Sequence, residues 1–230
     1  MRAVAIVPAA GRGVRMGSMG PKVLMPLLGR PLLGWTLRPI LESGCFSEVA
    51  VACSPDHRNL ISRFLSEEAG TGTPVRVIIG GQTRQDSVAN CLREISSGCD
   101  LVAVHDGARP LVTAGLITTV VKRAEEGGAA IAAVPCKDTV KLSTQGGIVS
   151  ETLDRSRIWL VQTPQCFRFD LLVSAYEAAR RKEYVATDDS SLVEHMGAPV
   201  HIVMGSYENI KVTTPEDLLI CEEILKRRVR

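Results

Sequence analysis

At 230 residues, with 45% apolar and 4% aromatic residues, the chain suits one large α/β domain and leaves little room for a second full core. A net charge of +2, without a basic stripe and interleaved aromatics, gives no case for nucleic-acid binding. No apolar run approaches the roughly 20 residues that span a bilayer, so no membrane association is expected.

The first element, residues 3–7, is short, apolar and β-branched enough to be a buried strand. It runs straight into Pro8-Ala9-Ala10-Gly11-Arg12-Gly13-Val14-Arg15-Met16-Gly17, a stretch that closes on Pro21-Lys22. Glycines separated by one residue let the backbone turn tightly and approach a ligand without a Cβ in the way. A turn of N–H groups leaving a strand is a natural seat for phosphate, and Arg12, Arg15 and Lys22 add three cations beside it. The pattern reads as a nucleoside-triphosphate loop. It is not the dinucleotide fingerprint, because its third glycine comes one place late and no acid follows about 20 residues on. It is not a Walker A loop either, since Gly20-Pro21-Lys22-Val23 puts proline before the lysine and valine after it.

Further strands are expected over 48–53, 75–79, 101–105 and 129–135, with helices over 31–43, 57–68, 84–95 and 114–126. Continuous apolarity in these strands favours a parallel sheet covered by helices on both faces. Right-handed crossovers would then gather the strand C-terminal ends, and so the ligand, on one edge. Residues 138–152 break the rhythm: two half-polar runs, 139–142 and 148–152, flank Gln145-Gly146-Gly147 as in a hairpin. Such faces do not suit the central sheet, and a protruding arm with open edges is expected to find a partner, here a second copy of the chain. The last third adds strands over 159–162, 200–204 and 209–212, a helix over 170–182 and a short helix after Thr187. Its final helix opens on Thr214-Pro215-Glu216-Asp217, with a capping threonine, proline at the first helical position and an acid at the third.

Seven scattered cysteines, without a C-x-x-C pair, suggest neither a disulfide framework nor a structural zinc site. The N-terminus is too short for a signal sequence, and a cytoplasmic protein is expected.

Two segments besides the first loop could carry chemistry. Asp106, in His105-Asp106-Gly107-Ala108-Arg109-Pro110, follows a buried strand on the same edge as the glycine loop, well placed to hold Mg²⁺ against phosphate oxygens; an ordinary Asp-Gly turn is the plainer alternative. His105 reads as a satisfied strand-end histidine rather than a base. Gly80-Gly81-Gln82-Thr83-Arg84-Gln85-Asp86-Ser87 opens a helix, where Ser87 could meet a base edge or Thr83 could simply cap.

With Asp138-Thr139-Val140-Lys141, Thr163-Pro164-Gln165-Cys166-Phe167, Thr187-Asp188-Asp189 and Asn209-Ile210-Lys211-Val212-Thr213, these segments resemble the 2-C-methyl-D-erythritol 4-phosphate cytidylyltransferase family over essentially the whole chain. The resemblance implies a single Rossmann-like domain, 1–230, of the nucleotide-diphospho-sugar transferase type, with 137–154 as a dimerisation arm and Mg²⁺ as cofactor. It implies cytidylyl transfer from CTP to methylerythritol phosphate in non-mevalonate isoprenoid biosynthesis, releasing pyrophosphate. By the family pattern Arg15 and Lys22 stabilise charge at the α-phosphate and the leaving group, and Arg155 and Lys211 hold the acceptor phosphate. Pro8, Ala9, Ala10, Gly11, Gly13, Gly81, Gln82 and Ser87 would bind CTP. Asp106, Arg109, Thr139, Thr163 and Thr187 would line the acceptor pocket, with Asp106 beside the metal. Gln82 stands where family members often carry an acid, and Cys166 where a bulkier residue is common. A ribitol-5-phosphate cytidylyltransferase shares the loop and the chemistry; a nucleotide-binding module without turnover and a dehydrogenase are the remaining alternatives.

Overall fold

The computed structural model describes residues 1–11, 21–68, 72–95 and 98–229. Strand β1 (Ala3–Pro8) is almost entirely buried. A short ribbon, β2 (Pro26–Leu27) and β3 (Arg30–Pro31), follows, turning through Leu28 and Gly29 at positive φ. Sequence reading missed this ribbon because two-residue strands carry no periodicity. Next come α1 (Leu32–Glu42), β4 (Glu48–Cys53), α2 (Arg58–Glu68), β5 (Val75–Ile79), α3 (Arg84–Glu94), β6 (Leu101–Val104), α4 (Ala114–Gly127) and β7 (Ala129–Pro135), each within a few residues of expectation. Local chemistry sets the boundaries. Thr83 and Asp86 form a reciprocal capping box on α3, Thr113 caps α4, and Gly128 ends α4 at φ 87°.

The arm is a small separate ribbon, β8 (Lys141–Ser143) and β9 (Val149–Thr152), exposed along its length. Beyond it lie β10 (Trp159–Arg168), α5 (Phe169–Arg181), α6 (Asp189–His195), β11 (His201–Met204) and α7 (Pro215–Val229). The expected acid at the start of α7 works as read: Asp217 Oδ2 accepts from the backbone N–H groups of Thr213 at 2.7 Å and Thr214 at 2.8 Å.

Seven strands form one sheet in the order β11-β7-β10-β6-β1-β4-β5. The pairs β11–β7, β6–β1, β1–β4 and β4–β5 are parallel. Alternate residues of β1 face opposite layers. Ala3, Ala5 and Val7 pack towards α1, α2 and α4, whereas Val4 and Ile6 pack towards α3, α5 and α6. A third cluster seats α7 through Cys221, Ile224 and Leu225 against Leu27, Leu32 and Leu111. All seven cysteines are free thiols, five of them buried, and Cys166 lies in the core.

Two expectations need correction. The strand placed over 159–162 runs on to Arg168 and lies antiparallel between β7 and β6. Its outer half is partly exposed while residues 162–167 are buried, so the apolar pattern covers only part of it. Residues 209–212 are not a strand. Their polar groups tie loops together instead: Val212 N–H donates to Ala108 O at 2.8 Å and Asn209 Nδ2 to Thr163 O at 2.9 Å.

The β6–β10 junction is pinned by a buried histidine. His105 Nε2 lies 3.2 Å from Arg109 O, and because a carbonyl only accepts, this nitrogen carries the proton. Nδ1 then accepts from Thr163 Oγ1 at 3.1 Å, and the same oxygen accepts the Asp106 N–H at 3.0 Å. Burial above all pushes the His105 pKa down to about 4, against the opposing pull of the Arg109 carbonyl and the Asp106 charge. The unfolded chain, near the ordinary histidine value of about 6.5, therefore binds more protons between these two values. Stability should fall as pH drops through that window, by about 2 kcal/mol between pH 7 and 5. Urea unfolding of wild type and His105→Gln at both pH values checks this. The variant should lose correspondingly less stability on acidification, and equal losses would show that the histidine is not held neutral.

Candidate active site

A cavity of about 910 Å³ opens where β1, β4, β5 and β6 end. Its rim is loops, as expected at the C-terminal edge of a parallel sheet. One wall is the backbone of Pro8, Ala9, Ala10 and Gly11. Ala9 is held there by its N–H on Ala52 O at 2.7 Å. The facing wall is Gly80, Gly81, Gln82, Thr83 and Arg84, with Ser87 behind it. Gly81 must be glycine because a Cβ there would overlap that of Asp86. Ser87 Oγ accepts from Gly81 N–H at 3.1 Å and donates to Thr83 O at 2.9 Å, which leaves one lone pair uncommitted. Gln82 is exposed at the rim.

The floor is Asp106, Gly107 and Ala108. At Gly107 a side chain would press within 3.0 Å of Pro8 O, so the two strand-end turns touch through bare backbone. Asp106 is the electrostatic centre. Its Oδ1 accepts from Arg84 Nε at 3.0 Å, Lys211 Nζ lies 2.9 Å from Oδ2, and Arg109 Nε lies 3.7 Å from Oδ2. Burial raises its pKa, but Arg84, Lys211 and Arg109 together outweigh burial and hold the carboxyl well below its ordinary value. Arg84 is clamped from its other side by Asp189, whose Oδ2 lies 2.8 Å from Arg84 Nη2. Despite its burial, those two acids raise the Arg84 pKa above its ordinary value.

Lys22 lines the same cavity, its Nζ donating to Val212 O, next to Lys211, at 2.7 Å. Pro21 precedes it in extended conformation and starts the 3₁₀ turn Lys22–Leu24, so this lysine sits at a fixed point on the wall.

The expected site residues therefore divide. Pro8, Ala9, Ala10, Gly11, Lys22, Gly81, Gln82, Ser87, Asp106 and Lys211 share the cavity. Thr163 lies just behind, bonded to the Asp106 N–H. Arg109 also lies behind and is buried; its Nη1 donates to Asn209 O at 2.7 Å. Thr187 is exposed near the start of α6 and does not line the cavity. Thr139 and Arg155 are exposed at the two ends of the arm, with Arg155 Nη1 on Lys137 O at 2.9 Å. Arg12, Gly13 and Arg15 lie outside the described residues.

Sequence reasoning missed two contributions. Ser54, Pro55, Asp56 and His57 form a further wall at the end of β4, where nothing in their types separates a binding wall from a plain turn. Arg84 and Asp189 were given no role. A signal for Arg84 existed: an arginine in the first turn of α3 opposes the helix dipole and needs an acid to hold it there.

Comparison with known proteins shows the family. The family model described as 2-C-methyl-D-erythritol 4-phosphate cytidylyltransferase matches residues 3–227. A protein of that name from Pelotomaculum thermopropionicum is 46% identical over 227 residues, covering 99% of this chain and 95% of that protein. One from Alkaliphilus oremlandii is 41% identical, covering 97% and 94%. The crystal structure of 4-diphosphocytidyl-2C-methyl-D-erythritol synthase from Anaerococcus prevotii superposes with a TM-score of 0.87 at 30% identity, covering 98% of this chain and 99% of that one. The Thermus thermophilus 2-C-methyl-D-erythritol 4-phosphate cytidylyltransferase superposes at 0.79 with 37% identity, covering 98% and 100%. Matched over residues 3–227 by the family model and over 99% of its length by a relative 46% identical, the chain belongs to the 2-C-methyl-D-erythritol 4-phosphate cytidylyltransferase family.

Proposed function

We infer that this chain transfers the cytidylyl group of CTP to 2-C-methyl-D-erythritol 4-phosphate, giving 4-diphosphocytidyl-2-C-methyl-D-erythritol and pyrophosphate for isoprenoid synthesis. The observation that carries the reading is the convergence of Lys22 and Lys211 on one cavity walled by the bare backbone of Ala9, Ala10 and Gly81. Backbone walls suit a flat base and phosphate oxygens, and two lysines lining one cavity suit two phosphate groups brought together.

In the reaction an oxygen of the acceptor phosphate forms a bond to the α-phosphorus of CTP as the bond from that phosphorus to the bridging oxygen breaks. Pyrophosphate leaves with the bonding electrons. A phosphate monoester has its second pKa near 6 and is already anionic at neutral pH, so no general base is required. His105, walled in behind Asp106 and neutral, is left outside the chemistry. The work of the site is to align two anions and spread the charge that builds at the α-phosphate, a task for Lys22 and Arg15. A protein-bound Mg²⁺ on Asp106 does not fit, because both carboxylate oxygens face cations. Among the described residues no three His, Cys, Asp or Glu gather to hold a metal. Mg²⁺ would instead arrive with CTP and supply charge neutralisation to the triphosphate, without a protein carboxylate to hold it. A cytoplasmic location belongs to the same proposal, since neither anionic substrate crosses a bilayer unaided.

The arm belongs to it as well. Thr139 and Arg155 stand outside their own chain's cavity, and the arm exposes Leu142, Ile148 and Val149, which is costly for a free ribbon. A homodimer in which the arm of one copy reaches the cavity of the other covers those side chains and delivers Arg155 to the acceptor phosphate.

Pyrophosphate release with CTP and Mg²⁺, comparing methylerythritol phosphate with ribitol 5-phosphate, tests the assignment. Turnover is expected with the first acceptor alone, and turnover only with the second would overturn the acceptor. Arg15→Ala and Lys22→Ala should each lower kcat by about 10²–10³ while changing CTP binding far less, as for loss of one preorganised donor. Arm exchange makes a separate prediction. Arg155→Ala and Lys22→Ala proteins, each nearly inactive, should regain about a quarter of wild-type activity when unfolded and refolded together, because half the dimers are mixed and each mixed dimer holds one intact site. No recovery would place Arg155 beside its own cavity or outside the site.

A further inference from the structure

A chain of buried polar groups runs from the core to the cavity floor and includes two residues without a part in the reaction above. Tyr176, on α5, is nearly buried, and its hydroxyl donates to Asp189 Oδ1 at 2.5 Å. Asp189, the first residue of α6, is 0% exposed. Its other oxygen lies 2.8 Å from Arg84 Nη2. That approach is a charge contact lacking hydrogen-bond alignment, whereas Arg84 Nε is aligned on Asp106 Oδ1 at 3.0 Å. Asp106 Oδ2 then meets Lys211 Nζ at 2.9 Å. Arg84, Asp106 and Lys211 line the cavity; Tyr176 and Asp189 do not.

Burying an aspartate completely is costly, and stability alone does not call for it, because an apolar replacement of a buried ion pair is often as stable. The charge has a different use. Asp106 faces three cations, Arg84, Arg109 and Lys211. Without a second acid, the Arg84 guanidinium would have Asp106 as its one counter-ion and would favour the two-point grip that arginine makes on carboxylates. That grip takes both oxygens and displaces the lysine. Tyr176 keeps its proton, since burial first and then the neighbouring Asp189 charge raise its pKa well above the ordinary value. The phenol is thus a fixed donor that orients Asp189.

We propose that Asp189, oriented by Tyr176, is a positioning residue for the acceptor half of the site: it holds Arg84 so that Asp106 keeps one oxygen for Lys211. The kinetic part of the test rests on the proposed cytidylyl transfer. The arrangement of charges does not.

Asp189→Asn removes the charge and keeps the shape; Tyr176→Phe removes the orienting donor; Asp189→Glu restores the charge. In the pyrophosphate-release assay, Asp189→Asn should raise the KM for the acceptor about ten-fold, as expected when a reacting group is displaced. The KM for CTP should stay within about two-fold, because the backbone walls are untouched. Tyr176→Phe should act in the same direction by less, and Asp189→Glu should recover part of the loss. Equal changes in both KM values, or a lower active fraction with unchanged constants, would mean a merely structural role and overturn the proposal. A second readout needs no turnover. With lysines ¹³C-methylated and Lys211 assigned through Lys211→Arg, its resonance should move in Asp189→Asn and in Tyr176→Phe, and an unmoved signal overturns the proposal. If Asp189→Asn does not fold, Tyr176→Phe decides. If wild type turns over neither acceptor, the functional reading falls while the Lys211 resonance still decides the role of Asp189.

Discussion

The Asp106 carboxylate sits where an unpaired charge would cost several kcal/mol, and cations from three parts of the chain remove that cost. Arg84 comes from the first turn of α3, Arg109 from the turn after β6 and Lys211 from the loop before α7. Each would be poorly placed alone. Arg84 opposes a helix dipole, Arg109 is itself buried, and Lys211 is carried on irregular backbone. Around one anion the three become mutually consistent, so the carboxylate organises the floor of the cavity more than it serves as a ligand. Counting Asp189, two acids face three cations, which leaves an excess of one positive charge directed at an anionic substrate.

The loop at 209–213 links that arrangement to Lys22. Its Asn209 side chain holds the Thr163 carbonyl, and its Asn209 carbonyl receives Arg109. Val212 N–H is fixed on the Asp106 turn through Ala108, and Val212 O receives the Lys22 ammonium. One short segment thus presents Lys211 and seats Lys22. This is also why it is no strand, because its backbone groups are already spent on the turn after β6 and on Lys22. An alternation such as Ile210, Val212 looks strand-like in sequence, and only the identity of the partners removes it from the sheet.

That contrast marks what was legible in the chain. The parallel strands were readable because each is buried on both faces and therefore continuously apolar, and the starts of α3 and α7 because Thr83 and Asp217 satisfy backbone groups locally. The close approach at Gly81 was readable because bare backbone needs glycine. What escaped depends on distant partners. β10 pairs with strands 24 and more residues earlier in the chain, and its buried half contains Gln162, Thr163 and Gln165, which look like loop residues until Asn209, His105 and Asp188 are found holding them. Arg84 and Asp189 lie 105 residues apart and meet only in the folded chain.

The two halves of the cavity are held by different forces, and this separates their expected behaviour. The wall at Pro8, Ala9, Ala10 and Gly11 continues β1 and is tied to the sheet, with the Ala9 N–H on Ala52 O. The floor relies on charged side chains whose positions are set by one another around Asp106. Rigid backbone favours a fixed pose for the base and triphosphate, which in-line displacement demands. Under the proposed arm exchange, a charge network centred on Asp106 and an arm from a second copy would let the acceptor end assemble in response to its phosphate. Specificity for the nucleotide would then be built into the monomer fold, and specificity for the acceptor into the assembly.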